Sequence, residues 1–439
     1  MRIVLLGMEW FFLLYFVLGA AGYLVLDLLA IASLHRRIGV GALEDLPPAY
    51  PGFERPVSLL VPAYNAEATI ASAVRSLLQL DYPEFEIVVV NDGSADATLE
   101  ALREAFQLEV FPEAHCRRLK AQAVRAIYHS KLHANLRVVD KENGGRADSL
   151  NVGINASRYP LFCAMDADAI LQRESLRRVT QPFHDDRRTV AASGAVRIAE
   201  GPSPNLLALL QVVEHLRAFV FGRLGWARMN AVLAIPGAFA VFRKDTVVEV
   251  GGYRTGTIAG DMDLVVRLHC LLRTRREPYA IQLVADPVCW TEATGQLGAL
   301  GNQRIGWQRR LAEGVYGSRD LIRAGGAPGF IALPFLTMFE CYGPLIEIAG
   351  YLFMALMFFL GQLSGAAFGA FLALAFSLGF LLSVSALLLE ELFLRPFPRL
   401  SQMAVLVGVA VLENLGYRQL VSLWRLAGLV RWAREASQR

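Results

Sequence analysis

Long apolar runs lie near both ends of the chain, with a segment of ordinary polarity between them. The run at residues 11–34 contains a single charged side chain, Asp27, and the run at 348–389 contains none. A transmembrane helix needs about 20 consecutive apolar residues. The first run therefore predicts one membrane anchor, and the second predicts a transmembrane hairpin that turns near residues 361–365.

Two further apolar segments flank the hairpin. Residues 328–347 include prolines and glutamates, among them Pro334 and Glu340, which favours an interfacial or broken helix over a clean span. Residues 400–412 are apolar but short for a span. We predict an interfacial helix there, with a fourth span as the alternative, followed by a basic tail.

The distribution of arginine predicts how these segments are oriented. Arg36 and Arg37 directly follow the first run, and the end of the chain is rich in arginine. Because basic residues favour the cytoplasmic side, we predict a multi-pass protein of the plasma (inner) membrane with a cytosolic central domain. The predicted parts are an anchor at 1–37, a linker at 38–54, the cytosolic domain at 55–327, the broken helix at 328–347, the hairpin at 348–389 and a final segment at 390–439.

Within the central domain, short apolar runs alternate with amphipathic stretches. The apolar runs predict buried strands, and two of the stretches predict helices. The predicted strands are 57–62, 86–90, 136–139 and 160–165, and the helices are 67–80 and 96–106. This alternation is typical of an α/β fold with a mostly parallel sheet. Polar residues follow three of the strands, where such sheets bind ligands.

One of these polar clusters, Asp166-Ala167-Asp168, offers two carboxylates at the end of an apolar strand. The chain lacks G-x-G-x-x-G after its first strand and lacks the P-loop pattern, which excludes both of those phosphate-binding folds. Carboxylate oxygens at this spacing are suitable ligands for Mg²⁺ or Mn²⁺. An isolated pair is also common in solvated turns, but its place in the sheet favours a metal site.

Composition narrows the classes of protein further. Hydrophobic residues make up 54% of the chain and charged residues 19%, against about 25% charged residues in a typical soluble protein. The net charge of +3 gives no reason to expect nucleic acid as a partner. Five scattered cysteines show neither a disulfide framework nor a C-x-x-C metal site.

An ordered set of motifs runs through residues 57–307. The motifs are VSLLVPAYNAEATI, VVVNDGSADAT, KENGGRADSLNVGINASRYP, MDADAIL, GAFAVFRK, GDMDLVVRL and QRIGW. In their content and order the chain resembles the membrane-bound family 2 glycosyltransferases, the group that includes cellulose, chitin, hyaluronan and poly-N-acetylglucosamine synthases. The resemblance implies a GT-A-like domain that binds a UDP-sugar.

The resemblance assigns roles to several polar residues. Tyr64 and Asp92 match the uridine contacts of the family. Asp166 and Asp168 match its nucleotide and metal ligands, with Asp168 the closer to the ion. Arg146 stands where family members often have lysine, and a guanidinium can neutralise phosphate as a planar fork.

The resemblance also implies a catalytic base in the segment G-D-M-D-L. The family carries this base in an acidic pair, commonly Glu-Asp, ahead of an apolar helix. Here Asp261 occupies the base position and Gly260 replaces the preceding acid. From the residues alone, Asp261 is also consistent with a helix N-cap, and Asp263 with a first-turn acid that stabilises the helix dipole.

Gln303, Arg304 and Trp307 match the Q-R-x-x-W element of the family. By this resemblance, Trp307 offers an apolar face to a sugar ring and Arg304 offers a charge to the leaving UDP. Many processive relatives have a further arginine directly before the tryptophan, where this chain has Gly306, with arginines at 309–310 just after. The alternative for this segment is an amphipathic helix at the membrane surface.

The expected function is that of an inverting, metal-dependent glycosyltransferase that extends a polysaccharide from a UDP-hexose or UDP-N-acetylhexosamine. Two alternatives stay open: a non-processive enzyme that adds one sugar to a lipid, and an inactive binding or assembly subunit. The expected partners are the UDP-sugar donor, a polysaccharide or lipid acceptor and membrane lipid. Because three predicted spans are few for a polymer channel, a homo-oligomer or an accessory membrane subunit is a further expected partner.

Overall fold

The computed structural model of the chain describes residues 2–44, 54–112, 117–167, 169–199, 205–217, 222–237, 239–394 and 400–438. Within these residues, a ten-stranded sheet with helices packed on it forms the central part of the protein. Long apolar helices come from both ends of the sequence.

The strands of the sheet include the four that the hydrophobic pattern predicted. In chain order the described strands are β1 (Val57–Ala63), β2 (Phe85–Asn91), β3 (Leu108–Val110), β4 (Val124–Ser130), β5 (Leu136–Lys141), β6 (Leu161–Met165), β7 (Ile170–Leu171), β8 (Thr189–Ala199), β9 (Phe239–Arg243) and β10 (Ala280–Glu292). Across the sheet their order is β3-β4-β5-β2-β1-β6-β9-β8-β10-β7.

The centre of the sheet is parallel, as predicted. β1 pairs in parallel with β2 on one side and with β6 on the other, and β2 pairs in parallel with β5. Successive side chains of β1 pack into hydrophobic cores on opposite faces of the sheet. Leu60 belongs to one core, and Leu59 and Val61 belong to the other. A strand that is buried on both faces is apolar at every position, which explains the uninterrupted runs.

The outer strands add antiparallel pairs. β3 and β4 run antiparallel next to β5, β9 lies antiparallel between β6 and β8, and β7 pairs antiparallel with β10. The expectation of a mostly parallel sheet thus holds for the central strands, and the sheet as a whole is mixed. β4 was not predicted, because Arg125 and His129 interrupt its apolar pattern.

Helices cover the sheet and carry several of the motif residues. The described helices of the central part are α2 (Ile70–Leu77), α3 (Thr98–Phe106), α4 (Arg146–Ala156), α5 (Ser175–Asp185), α6 (Leu206–His215), α7 (Gly222–Arg228), α8 (Lys244–Glu249), α9 (Asp261–Thr274), α10 (Leu297–Gly317) and α11 (Arg319–Ala324).

The remaining helices are mainly apolar. They are α1 (Arg2–Glu44) at the N-terminal end and, after α11, α12 (Leu333–Phe335), α13 (Gly343–Phe359), α14 (Gly365–Leu394), α15 (Leu400–Leu412) and α16 (Arg418–Ala436). Short π-helical segments flank α12 and join α15 to α16. Among the described residues, Leu5–Leu34, Gly365–Leu392 and Gln402–Ala436 are long and apolar enough to cross a membrane.

The bounds of the apolar helices can be compared with the predicted segments. The hairpin turns between Phe359 and Gly365, and residues 328–359 form a helix pair that is bent by 47° and that could serve as a fourth span. For segment 400–412 we predicted an interfacial helix with a fourth span as the alternative, and this segment begins a helix that is a candidate span. α1 continues to Glu44, into the predicted linker, whose residues 45–53 lie outside the described ones.

Two arginines of α16 are paired with glutamates of the apolar segments that precede it in the chain. Arg418 donates to Glu347 at 2.7 Å, and Arg425 donates to Glu340 at 2.9 Å. These residues line a cavity of about 120 Å³ between α1, α13, α14 and α16. A charge placed among apolar helices is costly unless it has a partner, and the pairing makes these charges tolerable.

α10 connects the sheet domain to the apolar helices, because it packs against both α9 and α16. Arg309 of α10 donates to Glu435 of α16 at 2.5 Å, and the Trp432 indole of α16 donates to Glu313 of α10 at 3.0 Å. The Q-R-x-x-W element therefore lies on a helix that is held between the two parts of the protein.

Candidate active site

A cluster of charged side chains lies at the carboxyl edge of the parallel strands. Asp166 directly follows β6, Arg146 begins α4 and Asp261 begins α9. In parallel sheets this edge is where ligands bind, and the helices that follow the strands begin there. The structure thus brings together three residues that the motifs assigned to one site.

Arg146 links the two carboxylates of this cluster. Its Nε donates to Asp166 Oδ1 at 3.0 Å, and its Nη1 donates to Asp261 Oδ2 at 3.3 Å. Its Nη2 donates to the Gly237 carbonyl at 2.9 Å, which fixes the plane of the guanidinium. Although burial lowers the pKa of Arg146, the charges of Asp261 and Asp166 raise it above its ordinary value, so the side chain stays cationic.

Asp261 is held by two donors from different segments. The Tyr253 hydroxyl donates to Oδ1 at 3.2 Å, and Arg146 donates to Oδ2. Burial, together with the Asp261 charge, raises the pKa of Tyr253 well above its ordinary value, which keeps the hydroxyl protonated as a donor. The N-cap residue of α9 is Gly260, and no side chain caps this helix. The N-cap alternative for Asp261 therefore does not describe its carboxylate contacts.

Asp263 has a different environment, although it lies only two residues further on. Arg267, one turn along α9, donates to it at 2.8 Å, and Arg254 donates to it at 3.4 Å. Its carboxylate is occupied by an ion-pair network that holds α9 to the preceding loop. Of the two aspartates, Asp261 is the one that faces the Arg146 cluster.

The predicted metal pair is described only in part. Asp166 lies at the rim of the site with its side chain 42% exposed, whereas Asp168 lies outside the described residues. Among the described residues no three His, Cys, Asp or Glu side chains form a complete metal cluster. The hard oxygens of Asp166, on a loop that directly follows a strand, do fit the donor chemistry of Mg²⁺ or Mn²⁺.

Tyr64 lies at the same edge of the sheet, directly after β1. Its side chain is 56% exposed. The next residue, Asn65, has a φ of 48° and accepts a hydrogen bond from the Ala95 N–H at 2.9 Å, which ties the loops after β1 and β2 together. A ring exposed at this edge is accessible to a ligand, and the uridine contact stays a prediction.

Asp92 is more enclosed than the prediction implied. Its Oδ1 accepts from the Gly144 N–H at 2.9 Å and its Oδ2 from the Gly145 N–H at 2.8 Å. The buried Lys141 ammonium pairs with the same carboxylate. Asp92 therefore fixes the loop that leads into α4, and a uridine contact would require one of these hydrogen bonds to open or to be shared.

Arg304 does not join the charged cluster in the structure. Its Nε donates to Glu214 Oε1 at 3.0 Å and its Nη2 to Glu214 Oε2 at 2.6 Å, in a pair that is almost fully buried. The Tyr417 hydroxyl donates to the same carboxylate at 2.8 Å. Gln303 accepts a hydrogen bond from Arg304 at 2.8 Å. The charge that the resemblance assigned to the leaving UDP is instead neutralised by Glu214.

Trp307 is half-buried, and the Arg304 guanidinium lies 4.4 Å from the centre of its ring. Gly306, on the adjoining side of α10, has open space where a Cβ would project. The element thus combines a stacked arginine–tryptophan pair with a gap, and the predicted sugar contact of Trp307 stays a prediction.

Sequence reasoning missed two residues of the site, Tyr253 and Gly237. A Cβ on Gly237 would lie 2.3 Å from Asp261 Oδ2, so only glycine allows the backbone to approach the carboxylate this closely. Gly237 is the first residue of the motif GAFAVFRK, and Tyr253 directly follows two consecutive glycines. These sequence positions are the features that could have identified the two residues.

Comparison with known families identifies the fold and the activity. The model of glycosyl transferase family 2 matches residues 58–249, and the model of glycosyl transferase family group 2 matches residues 161–411, more than half of the chain. The chain belongs to glycosyl transferase family group 2. It is a glycosyltransferase, as the motifs predicted.

Relatives of this glycosyltransferase include poly-beta-1,6-N-acetyl-D-glucosamine synthases. The Staphylococcus epidermidis protein is 27% identical over 252 residues, which make up 57% of this chain and 53% of that protein. The protein of Staphylococcus aureus strain COL is 29% identical over 253 residues, with the same shares. The chain spans about half the length of the curated relatives it matches.

A solved structure confirms the GT-A-like fold that the sequence predicted. The mannosyltransferase PcManGT from Pyrobaculum calidifontis, solved in complex with GDP-Man and Mn²⁺, matches with a TM-score of 0.52 and 21% identity. The match covers 89% of this glycosyltransferase and 99% of that chain. At this identity the similarity concerns the fold.

A buried ion pair in this glycosyltransferase yields a stability prediction. Arg304→Met should lower the melting temperature of the detergent-solubilised protein, because Glu214 would remain buried without its cation. Removing one partner of a buried pair typically costs about 3–5 kcal/mol. Gln303→Ala, at an exposed neighbouring position, is the matched control and should leave the melting temperature near that of the wild type. Equal melting temperatures for both variants would show that the Arg304–Glu214 ion pair does not contribute to stability.

The Tyr253 contact yields a kinetic prediction. Tyr253→Phe should reduce kcat by about tenfold or more with little effect on the donor KM, because a hydrogen bond to a charged group contributes about 1.5–3 kcal/mol. Tyr82→Phe is the control, since it removes another buried hydroxyl, one that donates to the Arg55 carbonyl. The comparison requires steady-state kinetics of both variants, and an unchanged kcat for Tyr253→Phe would exclude a role in orienting Asp261.

Proposed function

We propose that this chain is an inverting glycosyltransferase that transfers a hexose or N-acetylhexosamine from a UDP-sugar to a growing polysaccharide at the membrane. The observation that carries the proposal is the Arg146 bridge, in which one guanidinium contacts both Asp166 and Asp261. It supports a site where a donor bound on the Asp166 side lies within reach of a carboxylate base.

In this proposal Asp261 accepts the proton of the acceptor hydroxyl. The hydroxyl oxygen attacks the anomeric carbon, the new glycosidic bond forms, and the bond from that carbon to the UDP oxygen breaks. Attack from the side opposite the leaving group inverts the configuration. Tyr253 and Arg146 orient the carboxylate, so that the lone pair that takes the proton is held in place.

Asp166 and Asp168 are proposed to hold a Mg²⁺ or Mn²⁺ ion. The carboxylate chemistry of Asp166 and its position after β6 support this assignment. When bound, such an ion stabilises negative charge on the diphosphate. Arg146, already in contact with Asp166, adds a fixed positive charge at the same rim.

The membrane part of the proposal has support from both sequence and structure. The candidate spans and the polysaccharide synthases among the relatives support a multi-pass protein of the plasma (inner) membrane. The arginines that follow the first apolar run support a cytosolic site. The acceptor is then a polysaccharide or a lipid, and a second copy or an accessory subunit would complete a route for a long product.

A donor panel tests the activity. The full chain, purified in detergent, is incubated with UDP-glucose, UDP-N-acetylglucosamine and GDP-mannose, each with Mg²⁺ or Mn²⁺, and release of the nucleoside diphosphate is measured. We expect turnover with one of the UDP-sugars. Turnover with GDP-mannose alone would show that the donor is not a UDP-sugar. If no donor released a nucleoside diphosphate, the result would favour an inactive assembly subunit.

The length of the product separates the polysaccharide from the single-sugar alternative. Trp307→Ala should shorten the product more than it weakens binding of the UDP-sugar. The proposed role of the flat indole face is to contact a sugar ring of the acceptor, whichever sugar that is. Mass spectrometry of the products checks this result, and Trp424→Ala, a tryptophan on α16, is the control. A wild-type product of one sugar on a lipid, at every donor concentration, would overturn the processive proposal.

A further inference from the structure

Three arginines lie on α10 within seven residues of one another, and the structure gives them different partners. Arg304 is paired with Glu214, and Arg309 is paired with Glu435. Arg310 makes no hydrogen bond and no ion pair with any described residue, and its side chain is exposed. Of the three, Arg310 alone has a guanidinium available for a ligand within the part of the chain that the structure describes.

The packing of α10 brings Arg310 to the charged cluster. A Cβ on Gly314 would lie 2.4 Å from the Met262 sulfur, so α10 rests directly on the first turn of α9. Arg310 lies one turn before Gly314 and therefore on the same face of the helix. Because Met262 directly follows Asp261, this contact brings α10 next to the first turn of α9, where Asp261 lies.

The electrostatic surroundings of Arg310 agree with this position. Its pKa is lowered from its ordinary value, first because the surrounding protein removes part of its hydration and next because the Arg146 charge repels it. The carboxylates of Asp166 and Asp261 act in the opposite direction. Arg310 is thus a second cation whose charge interacts with the charges of the same cluster.

We propose that Arg310 binds the diphosphate of the nucleotide donor. This inference rests on the proposed function, which supplies a nucleoside diphosphate to the site. Gly306 lies one turn before Arg310 on the same face of α10 and has no side chain there. On this face the guanidinium is therefore provided one turn later, by Arg310.

A diphosphate would bring further negative charge to this site. The single Arg146 guanidinium already contacts two carboxylates, Asp166 and Asp261, and the other two arginines of α10 are paired with glutamates. A guanidinium presents two parallel N–H donors to phosphate oxygens, and charge-assisted bonds of this kind are roughly twice as strong as neutral ones. An exposed arginine without a partner among the described residues can supply these donors.

Binding of UDP and of uridine to the full chain, in detergent with saturating Mn²⁺, tests the inference by calorimetry. Arg310→Gln should weaken UDP binding by about tenfold or more and leave uridine binding unchanged, because only UDP carries the diphosphate. Arg310→Lys should have an intermediate affinity for UDP, since it keeps the charge and loses the fork. Arg309→Gln is the matched control and should bind UDP as the wild type does.

The outcomes separate the inference from the function on which it rests. If the wild type binds UDP and Arg310→Gln binds it equally well, the inference is overturned and the proposed donor stands. If the wild type binds GDP and not UDP, the donor proposal fails, and the same loss in Arg310→Gln measured with GDP supports the diphosphate contact. If the wild type binds neither nucleotide, both proposals fail.

Discussion

Asp261→Asn should abolish sugar transfer while leaving binding of the UDP-sugar nearly intact. A positioned base typically contributes about 10²–10⁴-fold to the rate, and asparagine keeps the shape of the side chain without a carboxylate to accept the proton. Arg146 can still donate to the amide oxygen, and the Tyr253 hydroxyl can accept from the amide nitrogen, so the local structure should persist. The measurements are the rate of UDP release and the affinity for the UDP-sugar, both made on the same preparation of the variant and compared with the wild type.

Asp263→Asn is the matched control for this experiment. It removes the same charge two residues away, from a carboxylate that contacts Arg267 and Arg254 instead of the cluster. We expect a milder loss of activity, together with some loss of stability, because the ion-pair network of α9 is weakened. A larger catalytic defect in Asp263→Asn than in Asp261→Asn would show that the wrong carboxylate was assigned.

Chelation of divalent ions should have an effect of similar size. EDTA should stop turnover and Mn²⁺ or Mg²⁺ should restore it, because the diphosphate leaving group would otherwise carry uncompensated charge. Asp168→Asn should reduce the rate by about 10³-fold or more in a protein that still folds. The checks are an activity titration with each metal and a melting curve of the variant.

The control for the metal experiment is Asp320→Asn. Asp320 is an exposed aspartate on α11, and its side chain contacts only Arg323 of the same helix among the ion pairs that the structure describes. Its activity should equal that of the wild type. Full turnover in EDTA would remove the metal from the proposal and leave Arg146 and Arg310 as the remaining sources of positive charge.

The two experiments test the acceptor side and the donor side of the proposed site. Asp261→Asn and Asp168→Asn should both reduce the rate, but only the second should weaken UDP binding. Arg146 touches both halves of the site, which predicts that substitutions there combine the two defects. Separate effects in kcat and in donor affinity therefore locate each residue on the donor or the acceptor side.

The hydrophobic pattern was sufficient for the centre of the fold and for the apolar helices. Leu59, Leu60 and Val61 are fully buried, and a strand with two buried faces is apolar in every position whatever its partners. The long apolar helices follow from the same kind of local rule, since length and apolarity make them candidate membrane spans. β4 was not predicted, because charged residues interrupt the apolar pattern by which a buried strand is recognised.

The motifs were also sufficient for the identity of the family and for a set of candidate residues. They could not show contacts, because Arg146 and Asp261 are 115 residues apart in the chain. The contribution of Tyr253 depends on the turn that carries its hydroxyl back to Asp261. These are properties of how α4 and α9 meet at the edge of the sheet.

The sequence by itself thus determined the α/β centre, the apolar helices, the family and a set of candidate site residues. Only the tertiary structure decided which arginine of α10 has a buried partner. Arg304 matches the motif, but Glu214, 90 residues earlier, packs against it and neutralises its charge, whereas Arg310 has no such partner among the described residues and interacts electrostatically with Asp166 and Asp261. The physical reason is that a helix sequence specifies which residues share a face, and only the elements packed on each side determine what that face contacts.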